Sequence, residues 1–343
     1  MQIPTEAPEP LLRATELHVR FPLRRRRELH ALAGVNLHIS HGEIVGIVGE
    51  SGCGKSTLAR ALVGLSSLQS GEIRWRGHAV DLADRGALQR LRREVSMVFQ
   101  DPFSSLDPRL TIEASVLEPL AIVRPELSRS ARHELARQWL MRVGLDDSFL
   151  ARYPHELSGG QCQRAAIARA AIVQPALLIC DEAVSALDVS VQAQILQLLR
   201  TLQAELRMAL LFISHHLIVV SQLAQRVVVL YLGRVVESGP AARVLRRPLH
   251  PYTRALIDAV PVPDPEIERT CSRATLRGEL PSPIDPPSGC VFRTRCAYAI
   301  ALCAERVPEE EESGEGQRVA CHRWREWGGS RVPGYGLRPE QAL

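Results

Sequence analysis

The chain has 343 residues, of which 45% are hydrophobic and 23% charged, with a formal net charge of +4. That length holds one large α/β domain and an appendage, because domains commonly run to about 100–200 residues. A charge this small gives no broad basic field for nucleic acid, so no nucleic-acid partner is expected.

Of the 42 basic residues, 41 are arginine and a single one, Lys55, is lysine. A compact, flexible ammonium meets phosphate differently from a broad planar guanidinium, and the lone lysine falls where a phosphate contact is needed. The one dense basic cluster, Arg24–Arg27, reads as a solvated loop, with anionic lipid headgroups as the alternative contact. Met1–Pro10 lacks an apolar core, so no signal peptide is expected. No apolar run reaches the ~18–20 residues of a membrane span; Ala209–Val220 is interrupted by Ser214, His215 and His216. A cytosolic chain that meets a membrane only through partners is expected. In that compartment its cysteines point to metal, redox or packing roles before disulfides.

From about residue 12 to 240, short β-branched runs alternate with helical patterns, which predicts an α/β domain. The strand-like runs are Glu43–Val48, Val95–Phe99, Ala176–Cys180, Ala209–Ile213 and Arg226–Tyr231, the last opening a hairpin through Val236. Between Asp101 and Pro175 the strand signal gives way to helical patterns such as Ser130–Val143, predicting an inserted helical subdomain over about 101–174. The nucleotide-binding part is drawn as 1–247 and a C-terminal extension as 248–343. Seven prolines within 261–288 predict irregular, extended chain there. A tail from Gly328 is expected to be poorly ordered. No internal repeat is visible.

Gly49-Glu50-Ser51-Gly52-Cys53-Gly54-Lys55-Ser56 fits G-x-x-x-x-G-K-[ST], after a strand and before a helix predicted over Thr57–Val63. Backbone N–H groups from Gly49, Ser51, Gly52, Cys53, Gly54 and Thr57 are suited to cradle phosphates, Lys55 to reach the β/γ-phosphates and Ser56 to hold Mg²⁺. The helix N-terminus behind them adds positive potential. The apolar strand Leu177–Cys180 ends in Asp181-Glu182, and an acidic pair there is costly unless it faces a cation or a solvent-filled site. Asp181 is assigned to the Mg²⁺ shell and Glu182 to polarising the attacking water.

Leu157-Ser158-Gly159-Gly160-Gln161 opens a helix predicted over Cys162–Ile172. Ser158, the glycine amides and the helix dipole make a second anion site. With this motif between the phosphate loop and the Asp-Glu strand end, the chain resembles the ATP-hydrolysing subunits of ABC (ATP-binding cassette) transporters. The resemblance implies an ABC-type P-loop NTPase core with an antiparallel β subdomain. It also implies that Ser158, Gly159, Gly160 and Gln161 complete the ATP pocket of a partner subunit. Gln100 resembles the Q-loop glutamine, near Mg²⁺ and the water; Asp188, in Ser185–Asp188, the D-loop that communicates across the dimer; His215 the switch histidine near the γ-phosphate. Phe21 stands where the family places its adenine-stacking aromatic.

Phe99–Pro102, Ser104–Arg109, Tyr153–His155, Ser185–Val191, His250–Thr253 and Gly278–Pro283 extend the resemblance to dipeptide/oligopeptide importer ATPases, specifically the F-type subunit, over about residues 12–325. This implies a homologous D-type ATPase partner, two transmembrane permease subunits and an extracytoplasmic substrate-binding protein. The chain would sit peripherally on the cytoplasmic face of the inner or plasma membrane. Nickel chelates or haem are alternative cargoes, and a soluble ABC ATPase is the rival class. Three positions depart from the family pattern: Ala183 for proline, His216 for aspartate and Cys162 for arginine.

Cys290, Cys296, Cys303 and Cys321 are spaced C-x5-C-x6-C-x17-C in a segment that forms little core. Four thiolates there are suited to a metal centre; zinc accepts them too, although its usual pairs are closer, about C-x2–4-C. The importer resemblance implies a [4Fe–4S] cluster in this C-terminal motif. Cys271 and His322 are the substitute ligands, whereas Cys53, Cys162 and Cys180 are scattered.

Overall fold

The computed structural model describes residues 9–24, 27–259 and 278–327. Strands β1 (Leu12–Pro22) and β2 (Glu28–Ile39) form a long antiparallel pair, and β3 (Ile44–Val48) leads through the loop 49–54 into helix α1 (Lys55–Leu62). Next come β4 (Ser70–Trp75), β5 (His78–Ala79), α2 (Arg85–Glu94) and β6 (Val95–Val98). Helices α3 (Pro102–Ser105), α4 (Ile112–Val123), α5 (Arg129–Arg142) and α6 (Gly159–Ala171) follow without an intervening strand. The chain returns through β7 (Leu177–Asp181), α7 (Val189–Leu206), β8 (Ala209–Ser214), α8 (Leu217–Leu223), β9 (Arg226–Tyr231) and β10 (Arg234–Pro240). It then enters α9 (Ala241–Arg246) and α10 (Pro251–Asp258), and ends in β11 (Glu311–Gly314) and β12 (Gln317–Val319).

A four-stranded antiparallel sheet has the order β2-β1-β4-β5, and an eight-stranded mixed sheet has the order β11-β12-β10-β9-β3-β8-β7-β6. From β9 to β6 the pairing is parallel. The period-two side-chain alternation of a strand divides the core between the two faces of this sheet. On β8, Leu210 and Phe212 pack with the α4–α6 helices, whereas Ala209, Leu211 and Ile213 pack toward α1 and the antiparallel sheet. All five residues of β3, β7 and the neighbouring part of β8 are buried, as a covered parallel sheet requires.

The strand and helix expectations hold to within four residues at their ends. One structural difference lies in the extension. Its described part is not only irregular: β12 pairs with β10 and β11 with β12, lengthening the core sheet. Strands of three or four residues are too short to show periodicity in sequence. Arg25, Arg26 and Cys271 lie outside the described residues. Among the described residues no helix is long and apolar enough to cross a membrane.

Candidate nucleotide site and the cysteine pocket

The carboxyl edge of a parallel sheet is where α/β folds bind ligands, and Lys55, Ser56, Gln100, Asp181, Glu182 and His215 meet there. Lys55 lies in the first turn of α1 after β3; Gln100 follows β6, Asp181 and Glu182 end β7, and His215 follows β8. Gly54 precedes α1 with φ 107°, and a Cβ on it would stand 2.4 Å from the Ala31 carbonyl oxygen, so only glycine makes this turn.

Lys55 is 4% exposed. Its Nζ donates to the carbonyls of Gly49 (2.8 Å) and Glu50 (3.0 Å) and lies 3.6 Å from Glu182 Oε1. The hydroxyl of Ser56 donates to Asp181 Oδ1 at 2.9 Å. Burial raises the Asp181 carboxyl above its ordinary range, and the Ser56 hydrogen bond works against that shift. A hydroxyl beside a buried carboxylate is a hard-oxygen pair of the kind Mg²⁺ takes.

Glu182 is the hub of the group. Gln100 Nε2 donates to its Oε2 at 3.1 Å, and His215 Nδ1 lies 3.8 Å from the same oxygen. Its backbone is left-handed, φ 48°, and is anchored by Glu182 N–H donating to the Ile213 carbonyl at 3.0 Å. A non-glycine residue in that region carries strain of about 1–3 kcal/mol. In this conformation the carboxylate meets Lys55, Gln100 and His215. A carboxylate flanked by an ammonium, an amide donor and an imidazole is equipped to hold and deprotonate a water.

The other expected residues are placed elsewhere. Ser158 caps α6 in a reciprocal capping box: its Oγ accepts from Gln161 N–H (3.3 Å) while its own N–H donates to Gln161 Oε1 (2.9 Å). A Cβ on Gly160 would lie 2.7 Å from Val191 Cγ1, so the glycine lets α6 and α7 approach closely. Asp188 caps α7, accepting from Val191 N–H at 3.0 Å. Phe21 lies near the outer end of β1 opposite Leu29 and is 41% exposed.

Comparison with known proteins agrees with this geometry. The sequence pattern of the family described as ABC transporter matches residues 32–185, and that of the oligopeptide/dipeptide transporter C-terminal region matches 236–303. The oligopeptide transport ATP-binding protein OppF of Escherichia coli K12 is 47% identical over 321 residues, covering 91% of this chain and 96% of that protein. The chain belongs to the ATP-binding subunits of the ABC transporter family. The di/tripeptide transport ATP-binding protein DppF of Pseudomonas aeruginosa is 48% identical, covering 86% of this chain and 90% of that one. Among solved structures, a dimeric ATP-binding cassette in a post-hydrolysis state bound to ADP and Pi has a TM-score of 0.62 at 31% identity, covering 67% of this chain and 98% of that one. The chain is therefore an ABC ATPase, and ATP with Mg²⁺ is its nucleotide.

Within this ABC subunit the three departures have local explanations. Ala183 is buried at 2% exposure behind Glu182. His216 occupies the N-cap of α8 with no side-chain cap hydrogen bond, and its ring stacks at a tilt 4.0 Å from that of His215. Cys162 is fully buried, its thiol donating to the Pro154 carbonyl at 3.3 Å. Burial pushes the Cys162 and Cys53 thiols up to about 11, so neither is an activated nucleophile.

Cys290, Cys296, Cys303 and Cys321 line one small pocket together with His322, His250 and Phe292. Cys290 N–H donates to the Cys303 carbonyl at 2.8 Å, tying two of the segments together. All four are free thiols. Among the described residues no group of three or more His, Cys, Asp or Glu side chains is placed to hold a metal ion, so the arrangement does not itself show the expected metal centre. His322 Nε2 pairs with the Arg306 carbonyl at 2.9 Å.

Two buried contacts had no counterpart in the sequence reading: Arg295 and Tyr252, both from the extension, reach Glu50 inside the phosphate loop. Glu50 occupies an unspecified position of the loop motif, so no pattern singles it out.

Proposed function

We propose that this chain is the F-type ATP-hydrolysing subunit of a membrane importer for dipeptides or oligopeptides. The observation that carries the reading is likeness to OppF over 91% of the chain, extending past the cassette into the peptide-transporter C-terminal region. In this reading it pairs with a homologous D-type ATPase subunit against two permease subunits on the cytoplasmic face of the inner or plasma membrane. An extracytoplasmic binding protein supplies the peptide. Residues 1–247 form the nucleotide-binding domain, with its helical subdomain at about 101–174, and 248–343 the extension.

The loop amides of Gly49, Ser51, Gly52, Cys53, Gly54 and Thr57 bind the phosphates with Lys55, which moves from the Gly49 and Glu50 carbonyls onto the nucleotide. Ser56 and Asp181, with Gln100, would hold Mg²⁺, which when bound would supply charge neutralisation for the phosphates. Glu182 accepts a proton from the water as its oxygen bonds to the γ-phosphorus and the bond to ADP breaks. Gln100 and His215 orient that water and the γ-phosphate, and Phe21 stacks on adenine. Ser158, Gly159, Gly160 and Gln161 close the partner's site, and Asp188 links the two. Glu182→Gln is expected to keep ATP binding while turnover in the assembled transporter falls by about 10²–10⁴. Turnover like that of the wild type would remove Glu182 from the chemistry.

Cys290, Cys296, Cys303 and Cys321 are assigned to a [4Fe–4S] cluster. The reading is supported by the donor set alone: four thiols from separate segments line one pocket. Bound there, the cluster would supply iron–thiolate bonds that tie the loop-rich extension together. Anaerobic purification is expected to give brown protein containing iron and acid-labile sulfide. Colourless, zinc-loaded protein would overturn the assignment.

A further inference from the structure

The turn from Cys290 to Cys296 has two faces. On one, Cys290 and Cys296 look into the cysteine pocket. Phe292 borders that pocket too and carries the contact through to the other face, where it packs edge-on to Tyr231, with ring centroids 5.2 Å apart, and lies 5.5 Å from Tyr252. Arg295, whose side chain is 6% exposed, crosses the Tyr231 ring at 6.0 Å and ends on the phosphate loop. There it makes a two-pronged pair with Glu50, Nη1 to Oε2 at 2.6 Å and Nη2 to Oε1 at 3.1 Å. The Glu50 N–H donates to the fully buried Tyr252 hydroxyl at 2.8 Å.

Glu50 is thus held at both its backbone and its side chain by the extension, 245 residues away in the case of Arg295. The Glu50 carbonyl is also one of the two that position Lys55. A carboxylate in a phosphate-binding loop opposes an incoming triphosphate by charge alone. The buried guanidinium cancels that charge and, through its planar fork, fixes the loop.

We propose that the Cys290–Cys296 turn is a strut for the phosphate loop, with Arg295 a positioning residue that sets ATP affinity through Glu50. The proposal rests on Gly49–Ser56 being the ATP loop and is independent of what the cysteines bind. By linkage, ATP binding and the native packing of the turn favour each other equally.

ATP titration of the full-length chain, with hydrogen exchange read at the Glu50 amide, tests this. Arg295→Gln is expected to weaken ATP binding about tenfold, or 1.4 kcal/mol, and to speed exchange at Glu50 without lowering the overall melting temperature to match. Arg295→Lys, which keeps the charge and loses the fork, should fall between. In Glu50→Gln the Arg295→Gln change should add little, because the pair is already broken. In the assembled transporter the KM for ATP should rise while kcat at saturation is kept, since Glu182, Gln100 and His215 are untouched. Should Arg295→Gln fail to fold, Tyr252→Phe removes only the hydroxyl that Glu50 N–H meets, and it too is expected to weaken ATP binding. Wild-type ATP affinity in a folded Arg295→Gln or in Tyr252→Phe, or additive effects of Arg295→Gln and Glu50→Gln, would overturn the strut. Failure of the unmodified chain to bind ATP would instead overturn the nucleotide-site reading itself.

Discussion

Lys55 and Glu182 show how single residues are committed in advance to one task. Lys55 keeps its ammonium in a pocket that is nearly closed, satisfied by two carbonyls and a carboxylate. Each of those partners can be given up for phosphate oxygens at little net cost, because one set of charge-assisted contacts replaces another. Arginine is the residue this chain uses everywhere else, but it is too broad for the two-carbonyl seat and loses the point-charge geometry. Glu182 is held in a strained backbone conformation by the strand beside it, with its carboxylate fixed beside Lys55, Gln100 and His215. His216 makes a contrasting compromise. At an N-cap, aspartate would accept from the first-turn amides, and histidine gives up that hydrogen bond. In exchange its ring packs on His215, whose Nδ1 faces Glu182. Burial, and then the neighbouring His215, lowers the His216 pKa, so the second ring adds no charge beside Glu182 at neutral pH.

At the scale of elements, the joint between β10 and α10 carries two buried titratable groups of opposite tendency. His250 caps α10 by accepting the Tyr252 N–H at its Nδ1 (3.1 Å), and burial alone pushes its pKa down to about 3. Glu237 accepts from the backbone of Leu249 and His250, and burial pushes its carboxyl up to about 7. A histidine with a depressed folded pKa stabilises the fold above its unfolded value near 6.5, and that stability is lost as pH falls toward 3. Protonation of the unfolded chain alone should take about 2 kcal/mol by pH 5. Glu237 acts in the opposite sense: its contribution is full below the ordinary carboxylate range and is lost as pH rises through about 7. His250→Asn keeps an N-cap acceptor and removes the titration. Thermal melts of the two proteins from pH 7.5 to 5 should show the wild type losing more stability on acidification than the variant. Parallel curves would mean that His250 is not held neutral. This joint was only half legible in the sequence. His250–Thr253 stood out through family resemblance, but Glu237 looks like any charged residue at the end of a hairpin strand. Its burial comes from β12, which pairs across a gap of some 80 residues.

Viewed as a whole molecule, the extension packs back on the rest of the chain through several contacts, and two of those closures differ in kind. That Lys55, Gln100, Glu182 and His215 would meet could be read from sequence because each is a local signature at a strand end, and the parallel sheet then brings those ends together. The extension could not, since short strands and lone side chains carry no period and Glu50 sits at a motif position open to any residue. One closure, Arg295 to Glu50, reaches the nucleotide loop. The other, Gln317, is structural: at 1% exposure its Nε2 donates to Glu237 Oε1 (2.6 Å) and to the Arg247 carbonyl (3.0 Å), locking β12 onto β10. Gln317→Leu preserves much of the buried volume but removes both donors and leaves the Glu237 carboxylate and the Arg247 carbonyl each short of a partner. Leaving a buried acceptor without its partner costs about 1–3 kcal/mol, so denaturant unfolding should shift by about 2 kcal/mol. ATP affinity in the folded fraction should stay at the wild-type value, because neither Glu50 contact is touched. If Gln317→Leu weakened ATP binding as strongly as Arg295→Gln, the extension would act on the nucleotide loop through its general stability, and the separation of anchoring from positioning would fail.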